Sequence, residues 1–361
     1  AKQTRAAMLD TYTMDFVRTA RAKGVSDHDV KWYHVFRNSL LPVITIFVLV
    51  FPAMLAGSVV VERIFSIPGM GSLILGAIFN LDRDVILEWF RRVDEGPFST
   101  LSCGERMIGT SVDMMALLGA AAAVTSRVRI VPTLYVLPMH PAIKVAKHAA
   151  TLDLIAGGRV SITVGIGGRV HDYMCMEKEP VRRYARMDEQ VAQIRRIWSG
   201  EIPFEGAEPI GPALVQPSGP PILAGVMGPK ATARAAKWAD GVYSWSGNGV
   251  AEEMKTQQQR VVDEWDKAGR DTAPARMGGF WCSSGPNADD NLKAYVYKYL
   301  KVIGEGPAKA IAGMCDRSSE DKIMASLDAY EEAGVEECWL NTATAEISEI
   351  DAIEQIIDRR G

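Results

Sequence analysis

Residues 40–61 read LLPVITIFVLVFPAMLAGSVVV, twenty-two positions without a charge. At about 1.5 Å per residue, a helix of that length crosses a hydrocarbon core of roughly 30 Å. Buried helices of globular proteins make do with shorter apolar runs, about 10–14 residues. The sequence therefore predicts one transmembrane helix over 40–61, and no single soluble domain contains it. Pro42, Pro52 and Gly57 suit that setting, because packed membrane neighbours re-satisfy the backbone groups such residues free.

Charge divides the chain as well. Residues 1–83 carry nine Lys/Arg against six Asp/Glu, and the remainder thirty-one against thirty-eight. Seven of the nine basic residues precede the apolar run. The positive-inside rule then puts the N-terminal side in the cytoplasm and Glu62 onward outside. Neither part has the basic stripe of a nucleic-acid binder. Five scattered cysteines (103, 175, 282, 315 and 338), odd in number and without C-x-x-C spacing, predict reduced thiols rather than a disulfide framework or a zinc site. No metal is expected. The chain opens on Ala1 in mid-motif and reads as a fragment, and no signal peptide is predicted.

From Asp84 the texture changes to alternating strands and helices. Strands are expected at 98–103, 128–136, 160–166, 222–226, 242–245, 277–283 and 337–341. Helices are expected at 84–95, 114–124, 143–154, 184–198, 231–239, 251–267, 290–303 and 319–333. This alternation predicts a parallel sheet. A (β/α)₈ barrel needs eight strands, and the series opens on a helix with no strand before it. The first strand is expected to be missing. Ser58–Ile64 is β-branched enough to stand in for it, although the same residues complete the apolar span.

Two resemblances follow. TARAKGVSDHDVKWYHVFRNSLLPVITI with GSVVVERIFSIPGMGSLILGAIFN resembles the C-terminal part of a dipeptide/oligopeptide/nickel ABC transporter permease. The resemblance implies that Ala20, Ala22 and Gly24 lie in coupling helices, that residues 19–38 dock an ABC ATPase subunit, and that the piece sits in the inner membrane. The remaining membrane helices of a permease are absent, so residues 1–83 alone cannot form a pathway. SRVRIVPTLYVLPMHPAIKVAKHAATLDLIAGGRVSITVGIGG, ARMDEQVAQIRRIWSGE and PPILAGVMGPKATARAAKWADGVY resemble the luciferase-like monooxygenase superfamily. That implies, for residues 84–361, a TIM barrel using FMN or the 5-deazaflavin coenzyme, a small organic substrate, a cytoplasmic location and a homodimer. The join breaks both partners and exports an enzyme away from its coenzyme pool, which reads as an accidental splice.

Candidate site residues sit where strands end. Gly165, Gly167 and Gly168 close a strand and let the backbone approach a flavin, or make a plain βα turn. Gly225, Gly228, Lys230 and Ala231 join a strand to a helix whose free N–H groups and added charge suit the coenzyme phosphate. An ordinary capped helix start with a solvated lysine is the alternative. His140 lines the pocket or sits near a helix cap before Pro141. Glu105 is a candidate acid or base, or the partner of Arg106 or another base. Luciferases place a histidine beside such an acid, and none is adjacent here, which argues against His-based proton transfer. His148 reads as structural and His171 as a weaker candidate. Trp198 and Trp238 read as core rather than as flavin stackers, and Arg182, Arg183 and Arg186 as a solvated face, with contact to a phosphate the alternative.

Overall fold

The computed structural model describes residues 8–40 and 83–361, apart from Thr110, Asn248 and Gly361. The chain divides into two units, Ala1–Asp82 and Arg83–Gly361. The helix expected at 40–61 lies, beyond Leu40, outside the described residues, as does the strand alternative at 58–64. Among the described residues no helix is long and apolar enough to cross a membrane.

In the first unit, helix α1 (Asp15–Ala22) carries Asp15 in its first turn and Arg21 in its last, each matching the helix dipole. Gly24 turns the chain with a φ of +79°, a left-handed conformation that favours glycine. Ser26 then caps the next turn, its hydroxyl accepting from the Asp29 N–H at 3.2 Å. A π-helical stretch follows over Val30–Phe36. Val17, Ala20, Val30 and Val35 bury one another in a small core.

The second unit is a parallel barrel of seven strands in sequence order. They are β1 (Thr100–Cys103), β2 (Arg129–Val136), β3 (Ile162–Gly165), β4 (Ile222–Val226), β5 (Gly241–Trp245), β6 (Ala275–Cys282) and β7 (Glu337–Thr342). Around them pack α2 (Arg83–Glu95), α3 (Met114–Val124), α4 (Ala142–Ile155), α5 (Val170–Cys175), α6 (Arg183–Trp198) and α7 (Pro229–Ala235). Helices α8 (Ala251–Lys267), α9 (Ala288–Leu300), α10 (Glu305–Met314), α11 (Glu320–Glu332) and α12 (Ile347–Arg360) complete the layer. Side chains alternate along each strand. Ile130, Ile162 and Ile222 face the helices and meet Leu118, Val145 and Ile194. Their neighbours Val131 and Leu223 turn the other way, packing with Tyr243, Met277 and Trp339 inside the barrel.

Three helices lie beyond those expected from sequence: α5, α10 and α12. The helix expected at 231–239 ends at Ala235, and the strand expected from 98 begins at Thr100. The pairing of β2 with β3 shifts register between Thr133 and Tyr135.

The ends of the strand series do not stand apart. Among the described residues no strand lies between β7 and β1, yet side chains tie them. Glu337 on β7 accepts from Thr100 Oγ1 at 2.9 Å and sits 3.9 Å from Arg129. Helix α2 meets α12 and the segment before it in the outer layer: Trp89 donates to Ala345 O at 2.7 Å, and Arg92 pairs with Asp351 of α12 at 2.6 Å and with Glu354.

Asp94, near the end of α2, fixes the loop into β2. It accepts from the backbone N–H of Ser126, Arg127 and Val128 at 2.8–3.0 Å and from the Ser126 hydroxyl. Burial pushes this carboxyl up, but those donors outweigh it and hold it at about 2. The folded value lies below the ordinary 3.8. The stabilisation is therefore complete above that ordinary value and disappears as pH falls towards 2. Asp94→Asn is expected to cost about 1.5–3 kcal/mol at neutral pH and to flatten acid unfolding between those two values. Parallel denaturant titrations at neutral pH and at the acid end check it; an equal deficit at both would show that the charge is not what Asp94 contributes.

Candidate functional site

In a parallel barrel, the loops after the strands converge at one mouth. Register places Cys103, at the end of β1, beside Pro132 of β2. β1 therefore delivers Gly104-Glu105-Arg106 close to where β2 runs on, through a 3₁₀ turn at Leu137–Met139, to His140. Glu105 and His140, thirty-five positions apart in sequence, meet there. Their Oε1 and Nε2 atoms lie 2.7 Å apart, with side chains only 5% and 10% exposed. Glu105 Oε2 accepts from the Val136 backbone N–H at 2.8 Å, which fixes the carboxylate. The Tyr135 ring meets the imidazole edge-on at 5.4 Å. Gln190 donates to the His140 carbonyl at 2.5 Å. The partner of Glu105 is thus a histidine from the next strand and not Arg106. The absence of an adjacent histidine in sequence does not remove a His–acid pair from the fold.

The tautomer follows from the carboxylate. An ionised carboxylate only accepts, so opposite an ionised Glu105 it is Nε2 that donates, and a neutral imidazole then keeps Nδ1 as its acceptor. Tyr135 bonds His148 Nδ1 at 3.0 Å, and burial, followed by the nearby Glu105 charge, drives the phenol well above its ordinary range. His148 is lowered by burial and by Lys144, so it supports Tyr135 as a neutral ring. Burial also pushes the Cys103 thiol up to about 11, leaving it protonated at neutral pH.

The glycines divide into two sets. A Cβ on Gly165 would meet Leu134 at 2.8 Å, and one on Gly225 would meet the same side chain at 2.7 Å. Leu134 therefore accounts for both. Gly167 has a φ of +61°, and a Cβ there would meet Val136 at 2.7 Å. Gly168 and Gly228 differ: nothing lies within 4 Å of a Cβ built on either. Beyond β4, the Ala231 N–H donates to Gly228 O at 3.0 Å, so Ala231 does not offer the free donor expected of it. Lys230 is exposed and has no partner among the described residues.

Of the other residues singled out from sequence, Arg183 and Arg186 turn back to the mouth, donating to Gly167 O at 3.0 Å and Pro138 O at 3.5 Å. They are not a solvated face. Arg182 is exposed, as is His171. Trp198 donates to Ala146 O and Trp238 to Asp188, both as packing residues.

A feature that sequence reasoning passes over is an aromatic and arginine cluster. Arg106 lies 4.4 Å and Arg169 4.9 Å from the centre of the Tyr299 ring. Trp281, at the end of β6, meets Tyr299 edge-on at 5.4 Å and Trp245 at 4.9 Å. The residues come from the loops after β1 and β3, from α9, and from β6 and β5, so no local spacing announces them.

In parallel β/α barrels active sites form at the C-terminal ends of the strands, and here the Glu105–His140 pair and the open Gly168 and Gly228 follow strand ends. The chain belongs to the luciferase-like monooxygenase family, whose model matches residues 71–353. A second model, the inner membrane component of binding-protein-dependent transport systems, matches residues 1–128. The N-terminal part is 50% identical over 86 residues to the oligopeptide transport system permease AppB of Bacillus subtilis, covering 24% of this chain and 27% of the permease. It is 48% identical over 86 residues to the di/tripeptide permease DppB of Pseudomonas aeruginosa, covering 24% and 26%. The chain thus spans about a quarter of these curated relatives. Among solved structures, monooxygenase RslO1 of Streptomyces bottropensis is similar with a TM-score of 0.63 at 20% identity, covering 77% of this chain and 93% of that one. An F420-dependent secondary alcohol dehydrogenase gives 0.60 at 19%, covering 75% and 93%. The oxygenating constituent of 3,6-diketocamphane monooxygenase of Pseudomonas putida, in complex with FMN, gives 0.56 at 15%, covering 76% and 91%. At such identities these structures establish the fold.

Proposed function

We propose that residues 83–361 form an oxidoreductase that holds FMN or a 5-deazaflavin coenzyme at the barrel mouth and acts on a small organic substrate. The Glu105–His140 pair, closed at 2.7 Å and largely withdrawn from solvent, carries this reading. The residues present fit a coenzyme: Gly168 and Gly228 leave room at the ends of the adjacent strands β3 and β4, and Lys230 supplies an unpaired charge beside Gly228. Gly168 would face the ring system and Gly228 with Lys230 the phosphate. When bound, the coenzyme supplies the redox step, oxygen activation with reduced FMN or hydride transfer with the reduced deazaflavin. His140 Nδ1 exchanges the proton that the substrate gains or loses. Glu105 holds the ring in one tautomer and stabilises its charged form. Leu134 and the mouth aromatics exclude water around them.

Titration of the full-length protein with FMN, and separately with the deazaflavin, followed by coenzyme fluorescence, tests the reading and selects between the two. Lys230→Ala is expected to weaken FMN binding about tenfold while riboflavin, which lacks the phosphate, binds as before. Equal losses for both ligands, or none, would take Lys230 out of the phosphate site.

A second reading concerns residues 1–82 alone. Their identity to peptide permeases supports docking of residues 19–38 on an ABC ATPase at the inner membrane.

A further inference from the structure

We propose that Arg106 and Arg169, stacked on Tyr299, form a binding site for the carboxylate of a flat organic substrate. The assignment of the ligand as substrate rests on the oxidoreductase reading; the anion site itself does not.

Two guanidiniums share one phenol ring, at 4.4 and 4.9 Å from its centre. They are close enough to repel: burial lowers the Arg169 guanidinium, and Arg106 lowers it further. Neither forms an ion pair among the described residues, although the barrel elsewhere pairs its arginines closely, as with Arg92, Arg195 and Arg234. Arg169 donates one N–H to the Tyr299 carbonyl. Arg106 makes no hydrogen bond among the described residues, so all its donors are unspent. Asp172, a carboxylate whose charge acts on Arg169, is itself engaged, accepting from the Ile108 N–H at 3.1 Å. Two half-buried cations held together with one distracted counter-charge favour an added anion. A carboxylate, planar and with two acceptors, matches the guanidinium fork.

The surroundings name the rest of the ligand. Trp281 and Trp245 continue the wall from Tyr299 down to the strand ends. Aromatic faces of this kind suit a flat apolar body. Arg106 directly follows Glu105, so one of the two arginines comes from the same loop as the acid–imidazole pair. Lys230, after β4, is separate from this cluster, which leaves the arginines for a second ligand.

Calorimetric titration of the full-length protein with benzoate, and with benzyl alcohol as its neutral counterpart, tests the site. Benzoate is expected to bind at least tenfold more tightly than benzyl alcohol. Arg106→Gln is expected to remove that advantage while leaving FMN affinity within twofold. Tyr299→Leu, at an exposed position, is expected to weaken benzoate at least threefold and serves if Arg106→Gln does not fold. Benzoate binding that is undetectable, or equal in wild type and variants, overturns the proposal. So does an Arg106→Gln protein that loses FMN but not riboflavin, because the pair then holds the coenzyme phosphate. Failure of every coenzyme to bind would instead remove the oxidoreductase reading, with the benzoate result standing independently.

Discussion

Turnover of the His140→Gln protein is expected to fall by about two to four orders of magnitude, the usual contribution of a positioned acid–base group. Coenzyme affinity should stay within twofold, since in the proposed reading the imidazole works on the substrate proton. In that reading Nδ1 accepts because Nε2 is held by Glu105 at 2.7 Å and Glu105 by the Val136 N–H at 2.8 Å. Glu105→Gln should therefore cost nearly as much. Its amide offers an N–H as well as a carbonyl, and the ring is no longer held as a donor at Nε2. Steady-state kcat at saturating coenzyme is the measurement. A His140→Gln enzyme within threefold of wild type would leave the pair as a structural clamp.

The second large effect concerns stability. Gly225→Ala is expected to cost about 1–3 kcal/mol, the range for forcing a methyl into a filled core. A Cβ at this position meets Leu134 at 2.7 Å and the Val164 carbonyl at 3.5 Å, and Leu134 already lies against Gly165. The Leu134→Ala background should recover most of that loss, with a coupling of at least about 1 kcal/mol between the two changes. Denaturant midpoints of the two single variants and the double variant decide it. Strict additivity would mean that Gly225 is needed for something other than room for Leu134. The two glycines illustrate how a glycine-rich strand end suggests a ligand in sequence, while part of the demand for a missing side chain comes from the protein's own packing.

Much of the barrel was legible. Strands β4 and β6 and helices α3 and α8 stand close to where the apolar pattern puts them: the two helices each bury one face, and the two strands, buried along most of their length, read as short apolar runs. Helix α12 carried the same signal in Ile350, Ile353 and Ile356, all buried, but follows what reads as the last strand. Helix α5 is only six residues long, too short for a period to show. Helix α7 stops at Ala235 although the helical pattern runs on through Trp238, because Ala239 and Asp240 are already leading into β5. The candidate site divides in the same way. Glu105, His140 and the glycines are found by their place after strands. The pairing of Glu105 with His140 is not found, nor is the return of Arg183 and Arg186 to the mouth.

By itself the sequence determined the strand order, the parallel sheet, the change of character near residue 83 and the two family resemblances. All of these are written in local pattern: period, charge and turn residues within short windows. Only the tertiary structure decided which side chains meet across the mouth. It joined residue 105 to 140 and put residues 106, 169 and 299 in one stack, and it set Leu134 over two glycines. Those contacts depend on strand register and on the curvature of the sheet, which bring distant residues within a few ångströms without leaving any repeat in the chain.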